Sequence, residues 1–557
     1  MGSSRKPHIV SLVLNKVEGD GRVLKSAQAA MAAGYNATVV GVAESSEVEH
    51  REFDGVRVLR LPNAGKRLGA HGVWGGDRTT RDLRLLVGIY GRALVPELIK
   101  LEPDLIHSHD MIGLKLGAIA TRTMATTGRK VPWIHDLHEY VAGLRGDLAE
   151  AYMPVCLEWE RAYLHRADHL VTVSDPLAQI VGSRYGVAAP EVIYNTPRLG
   201  DFADEGPNIR DAIGLDRNIP LVVFVGGANE LRGCHTIIDA IGRLADVHLA
   251  FVSEGTYVEG LVERARSEGF GDRVHLHPYV PVTEVTRFVR TADVGIHGMI
   301  HYPNGEVAMP NKMFEYLHGG LPLVVSDVAG MKGFVDSYKI GLVFAAGDVT
   351  SCASAIRRVI DDRSTFVANI TKELKRKFSW EAQEQKIVDL YQKLLSQRDT
   401  SLPFECRQLA LEEQHLQDLF VDASYGRAIA EASFRLAKSQ AAASSRLAKS
   451  QAEASSRLAE SQNVSTTKRF KSLKVAVDAG LRSQELAFTK LASSQSTWKQ
   501  VNELAQRFDT LEKKVDFISA SLQRQEDRYY RSTTFRLRHI LSRSPLGGLL
   551  RRLTSNS

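Results

Sequence analysis

Lys312 and Glu315 lie three residues apart in Val307-Ala-Met-Pro-Asn311-Lys-Met-Phe-Glu-Tyr-Leu-His-Gly-Gly320. The stretch reads as a polar loop entering a short helix that stops at two glycines. Pro310 suits a first helical turn, where its missing N–H costs little. The apolar run Leu323 to Ser326 then reads as a buried strand. A cation and an acid at a loop-to-helix entry are placed to meet an anionic ligand, because helix N-termini collect anions and parallel sheets present ligands at strand carboxyl ends. The same spacing also fits a surface helix carrying an i,i+3 ion pair.

Three further groupings have chemistry in them. The run Pro220 to Val225 leads into Gly226-Gly227, a polar turn, Arg232-Gly233 and a helix from about His235. Glycines there let backbone N–H groups approach a phosphate, and Arg binds one bidentately, although the pattern is less specific than a P-loop. Near the amino terminus, Gly19-Asp20-Gly21-Arg22 sits at the first strand-to-helix turn, where turn-making alone would explain the glycines. Two polar clusters, His107-Ser-His109-Asp110 and His135-Asp136-Leu-His138-Glu139, close neighbouring strands. Zinc is the weaker reading of these histidines, since no Cys or helical His-x3-His spacing supports it.

The elements that position these groups alternate. Apolar strands are expected at 8–14, 37–42, 56–61, 105–108, 133–135, 170–173 and 192–194, with helices between them, among them 22–33, 78–100 and 158–166. After a polar linker at 199–218, a second series follows: strands at 220–225, 248–252, 274–276, 293–296 and 323–326, and a closing helix at 351–361. Such alternation indicates doubly wound α/β domains.

In this order the motifs resemble those of retaining GT-B glycosyltransferases of family 4, in the subgroup with a Pro-Asn-Lys-x-Phe-Glu-Tyr core. The resemblance covers about residues 8–397. It implies an α/β fold of two Rossmann-like domains facing a cleft: 1–200 on the acceptor side, 201–376 binding the donor, and 377–400 crossing back to the first. It implies that Glu315 binds the ribose of a nucleotide sugar and that Arg232 and Lys312 hold its diphosphate. Gly226, Gly227, Asn311 and Tyr279, the last in a base-binding turn, complete the donor site, and His138 contacts the donor sugar. The family's second Glu falls at Val307, so that sugar contact is expected either from Glu306 with a one-residue slip or from backbone amides. Gly19, Asp20, Gly21, Arg22, His109, Asp136 and Glu139 are expected on the cleft and acceptor side, Arg22 adding positive charge there. No metal or other cofactor is expected, and catalysis is assigned to His138, Arg232 and Lys312.

Beyond Pro403 the composition shifts to Ala, Ser, Gln, Leu, Lys and Arg. Leu436, Leu447 and Leu458 recur every eleven residues, the period of a right-handed or nearly straight helical bundle. Val501, Leu504, Phe508, Leu511, Val515, Ile518 and Leu522 alternate steps of 3 and 4, a heptad seam. An all-α extension at 401–526 is therefore expected, pairing copies through a coiled coil or folding back as an amphipathic helix. The end, 527–557, pairs seven arginines with leucines, which suits an anionic membrane surface or a solvated basic tail.

Residues 401–557 hold 25 Lys and Arg against 16 Asp and Glu, while the whole chain is only +6, so the first 400 residues are net acidic. That argues against a nucleic-acid-binding body. Four scattered cysteines suit a reducing compartment, and neither a signal peptide nor a membrane span is apparent. The expectation is a cytoplasmic enzyme, peripheral on the inner face of the cell membrane, moving a sugar to a lipid-linked surface glycan. The rivals are a non-catalytic scaffold or chain-length-setting protein working through its coiled coil, and an epimerase or phosphorylase on the same fold.

Overall fold

The run Leu221-Val-Val-Phe-Val is buried along its whole length, as a strand covered on both faces must be. It is one of fourteen strands in the computed structural model, which describes residues 5–63, 80–199, 206–397 and a few positions between 406 and 418. Strands β1 (His8–Leu12), β2 (Asn36–Val42), β3 (Glu49–Phe53), β4 (Val56–Leu61), β5 (Leu105–His109), β6 (Trp133–Leu137), β7 (His169–Thr172) and β8 (Glu191–Val192) form one sheet, in the order β3-β4-β2-β1-β5-β6-β7-β8. Strands β9 (Leu221–Val225), β10 (His248–Val252), β11 (Val274–His277), β12 (Val294–His297), β13 (Leu323–Ser326) and β14 (Gly341–Phe344) form the other, in the order β11-β10-β9-β12-β13-β14. All pairings are parallel except β3 with β4.

Both orders reverse once, between β1 and β5 and between β9 and β12. Each reversal opens a crevice beyond the strand ends, where two neighbouring connections diverge to opposite faces. The loop Val13–Asp20 leaves β1 and His109-Asp110 closes β5. Gly226-Gly227 leaves β9. The candidate residues therefore stand at two topological switch points.

Two strands escape pattern reading. β3, Glu-His-Arg-Glu-Phe, is polar because it is an antiparallel edge whose side chains meet water, and β14 is only four residues long. The helix expected at 158–166 is Asp147–Tyr163, with Pro154 inside it. The expected linker contains a short helix, Ile209–Ile213, capped by Asn208.

Residues 1–407 form one compact unit and 408–557 a second. The eleven-residue repeat, the heptad seam and the basic end lie outside the described residues. No helix among the described residues is long and apolar enough to cross a membrane. The two sheets are tied together by the helix Trp380–Ser396, which starts beside the second sheet and packs Trp380, Ile387, Leu390 and Tyr391 against Ile9, Val23 and Ala27 of the first. Its first residue donates a backbone hydrogen bond to Pro197 O at 2.8 Å. Trp380 is fully buried, so Trp380→Ala is expected to cost about 3–5 kcal/mol and to lower the melting temperature in a thermal scan. An unchanged melting temperature would contradict the crossing.

Candidate active site

The helix Asn311–Gly319 is pinned by its apolar face. Met313, Phe314, Tyr316 and Leu317 are fully buried. The Tyr316 hydroxyl accepts from Val225 N at 3.0 Å, at the very end of β9. That anchorage turns Lys312 under the β9 turn. Its Nζ lies 3.8 Å from the centre of the Phe224 ring, and 3.7 Å from where a Cβ on Gly226 would stand. Lys312 is only 6% exposed and its ammonium has no hydrogen-bond partner. Burial, and secondarily Arg232, pull its pKa down to about 7.

Arg232 comes from the turn Glu230–Arg232. The Asn229 side chain accepts from Arg232 N, and Arg232 Nη1 donates to Gly227 O at 2.5 Å. Gly233 follows at φ +63, with Gly298 O 1.7 Å from where a Cβ would stand, so no other residue fits without a backbone shift. Tyr279, about half exposed, brings its hydroxyl to the same place, 3.7 Å from a Cβ placed on Gly227. Glu315, one turn beyond Lys312, is pushed up to about 7 by burial, against the pull of Lys312 and Lys25. Arg232, Lys312, Glu315, Gly226, Gly227 and Tyr279 thus gather at one strand end, as expected.

Glu315 and Asn311 also line a cleft of about 1110 Å³ whose far wall is Gly19, Asp20, Gly21 and Lys25 of the first half. Asp20 caps the helix Gly21–Ala32 through Val23 N, and Asn15 Nδ2 donates to Asp20 at 2.8 Å. Val17, between them, has φ +70, a costly conformation for a β-branched residue. The loop that forms the far wall is held in one strained shape.

Two expectations need correction. Arg22 does not offer free charge to a ligand: its Nε and Nη2 bind both Asp136 oxygens at 2.7 and 2.8 Å, and Nη1 donates to Ile193 O at 2.6 Å. Glu306 does not replace the family acid by slipping one place. Its Oε1 faces His301 Nδ1 at 2.6 Å and its Oε2 accepts from Ala329 N at 2.9 Å. Val307 is 3% exposed, and its carbonyl accepts from the Ser174 hydroxyl at 2.6 Å across the two halves. The helix Pro303–Val307 is a strap between halves, reinforced by Tyr140 N donating to Asn304 Oδ1 at 2.8 Å.

His109, Asp136 and His138 meet as neighbours at the ends of β5 and β6. Asp136 Oδ2 lies 3.3 Å from His109 Nδ1 and 3.6 Å from His138 Nε2. His135, by contrast, is spent on Ser108. One donor atom each of His107, His109 and Asp136 lie within 4.8 Å of one another. However, Arg22 occupies both Asp136 oxygens and Tyr391 OH lies 2.9 Å from His107 Nδ1. A guanidinium already lies on the carboxylate of this trio, which gives it the character of an internal ion-pair cluster. Glu139, exposed at the end of β6, has neighbouring protein and Asp110 pushing its pKa upward, opposed by His138 and Arg232. Sequence reading missed Lys25, whose Nζ donates to Asn195 and Thr196 O at 2.7 Å. Its place one turn after Arg22 was the available signal.

Between pH 7 and 10.5 the unfolded chain keeps the Lys312 proton that the folded chain has given up, so stability should rise with pH across that window. Lys312→Met is expected to flatten that rise and to stabilise the fold at pH 7 by about 1–3 kcal/mol, measured by thermal melts across pH. A slope as steep as wild type would contradict the burial.

Residues 21–196 match the family model for the glycosyl transferase 4-like domain, and 219–362 that for glycosyl transferases group 1. An uncharacterized glycosyltransferase of Methanocaldococcus jannaschii is 24% identical over 52% of this chain and 75% of its own. The lipopolysaccharide core biosynthesis glycosyltransferase LpsE of Rhizobium meliloti is 30% identical over 34% of this chain, a match spanning about half (53%) of its own length. Among solved structures, HepE of Anabaena in complex with UDP and glucose aligns with 70% of this chain and all of its own at a TM-score of 0.52 and 18% identity. The chain belongs to the glycosyltransferases of the GT-B type, its 4-like domain on the first sheet and its group 1 domain on the second.

Proposed function

We propose that this glycosyltransferase uses a nucleotide sugar, retains the configuration at the sugar's reacting carbon, and delivers the sugar to a lipid-linked surface glycan. The observation that carries the donor is the Lys312 ammonium, buried, without a partner and beside Arg232. Two cations gathered where glycine backbone lies open suit a diphosphate, which would restore the solvation that burial removes. HepE, with the same fold, was solved with UDP and glucose. The name of LpsE supports a surface-glycan acceptor, and the basic, leucine-rich end of the chain supports work at the inner face of the cell membrane.

In this reading Arg232 and Lys312 grip the diphosphate and stabilise the charge that grows on it as the sugar departs. No metal is assigned to that role. Glu315 binds the ribose, Tyr279 lies beside the base, and His138 orients the sugar. The bond from the sugar carbon to phosphate breaks and that to the acceptor oxygen forms on the same face. The acceptor's proton passes to the departing phosphate, so no protein nucleophile is needed. Closure of the two halves would complete the site.

A second reading, a non-catalytic assembly protein, draws on Val307 in the place of the family acid and on the engagement of Glu306. A panel of nucleotide sugars tests both, by thermal shift and then by turnover with a lipid-linked acceptor. One donor is expected to stabilise the protein and be consumed; no turnover with any donor favours the assembly protein. Glu315→Ala should weaken the donor's binding about 10- to 100-fold, the worth of a charge-assisted hydrogen bond. Full activity in that variant would remove the donor-site assignment.

A further inference from the structure

Asp136 lies among the imidazoles of His109 and His138. It is 1% exposed and Arg22 is 5% exposed, and their bidentate contact runs from the first helix to the end of β6. Arg22 is itself fixed twice over. Asp20 caps the helix that carries it, and its third nitrogen is anchored on Ile193 O. Such a fork fixes a carboxylate's plane as well as its place. Asp136 Oδ2 therefore faces His109 Nδ1 and His138 Nε2 in a set direction, at 3.3 and 3.6 Å. His138 is the member of the group with accessible surface, 20% exposed against 0% for His109.

We propose that Arg22 and Asp136 are a positioning pair that turns the His138 ring and holds it as a cation at the mouth of the cleft. The inference rests on the proposed function, in which His138 meets the donor sugar. It gives that imidazole one protonation state, with Nε2–H directed at Asp136 and the opposite edge, Nδ1–H included, left to face a ligand oxygen. Charged groups surround the ring. Asp136, Asp110 and Glu139 are acidic neighbours; Arg22 and, beyond Glu139, Arg232 are basic. His107, His109 and His135 are driven toward the neutral form by burial and do not compete for the proton. Burial works against the cation at His138, but Asp136 outweighs it, and the net direction is upward. A cation in this place adds to Lys312 and Arg232 in stabilising a departing diphosphate.

The pair replaces the role first expected of Arg22. Arg22 lines the cleft itself, but its guanidinium nitrogens are taken by Asp136 and Ile193 O, so its part there is to orient the carboxylate. Metal ligands are oriented by outer hydrogen bonds on the same principle, with an imidazolium here in the place of the metal.

Histidine-selective 15N labelling of the full-length protein, with His138→Gln to assign the signal, reads the protonation state directly. His138 is expected to stay a cation above the ordinary imidazole range and to set the alkaline limb of the pH–turnover profile. A raised folded pKa means the cation is complete below the ordinary value and lost as pH rises through the raised one. Asp136→Asn should move both the titration and the limb down by roughly one pH unit or more. Arg22→Lys keeps the charge but loses the fork, and should lower turnover about tenfold with donor KM nearly unchanged. If Asp136→Asn does not fold, the wild-type titration and Arg22→Lys remain decisive. A wild-type His138 that titrates at or below the ordinary range, or an Asp136→Asn limb that stays in place, overturns the pair. Unchanged turnover in His138→Gln overturns instead the assignment of His138 to the donor sugar, whatever the titration shows.

Discussion

A lysine ammonium held out of water without a hydrogen-bond partner is the constraint around which the second half of this molecule is built. Ammonium ions are strongly hydrated, and removing that hydration without replacement costs several kcal/mol. The Phe224 ring face beneath Lys312 Nζ returns part of it, while Arg232 adds like-charge repulsion. The apolar residues of the motif helix enforce the placement: Tyr316 bonds to the end of β9 and Phe314 stacks on Phe378, with centroids 5.6 Å apart. The packing keeps the cation where the free protein is worse off for it. That is the signature of a group retained for a ligand, since local destabilisation persists where surrounding structure over-determines it.

The first half solves the opposite problem. Its buried groups stand close together: Arg22 binds Asp136, Asp136 lies 3.3 and 3.6 Å from two imidazoles, and His107 Nδ1 meets Tyr391 of the crossing helix. One face of the cleft is therefore charge-compensated and geometrically fixed, and the other is left with excess positive charge. The polar contacts that join the halves, Ser174 to Val307 O and Tyr140 N to Asn304, use backbone and neutral groups, so they leave this asymmetry intact.

The fold was legible because both sheets are parallel. Covered strands must read as apolar runs, and β9, β10 and β13 do so; exposed β3 does not, and only its cross-strand pairing reveals it. Glycine turns and charged helix entries have local signatures, and Arg232, Lys312 and Glu315 do stand near one strand end. What could not be read was the partner each charge would choose. Arg22 and Asp136 are 114 residues apart in sequence, and nothing local to either announces the other. Glu306 lies next to the expected position of an acid, yet His301, five residues earlier, claims it. Sequence spacing fixes which groups stand at a strand end, but not which of them remain free.

In the strap Pro303–Val307 that freedom is gone. Gly305 lets the Tyr302 ring lie close against it, a Cβ there falling 2.6 Å from the ring. The Glu306 carboxylate closes onto His301 and onto the first residue of the helix Ala329–Tyr338. His301 in turn reaches Asp327 at 3.0 Å. With Val307 buried and its carbonyl committed to Ser174, both Glu306 and Val307 are occupied in holding structure together.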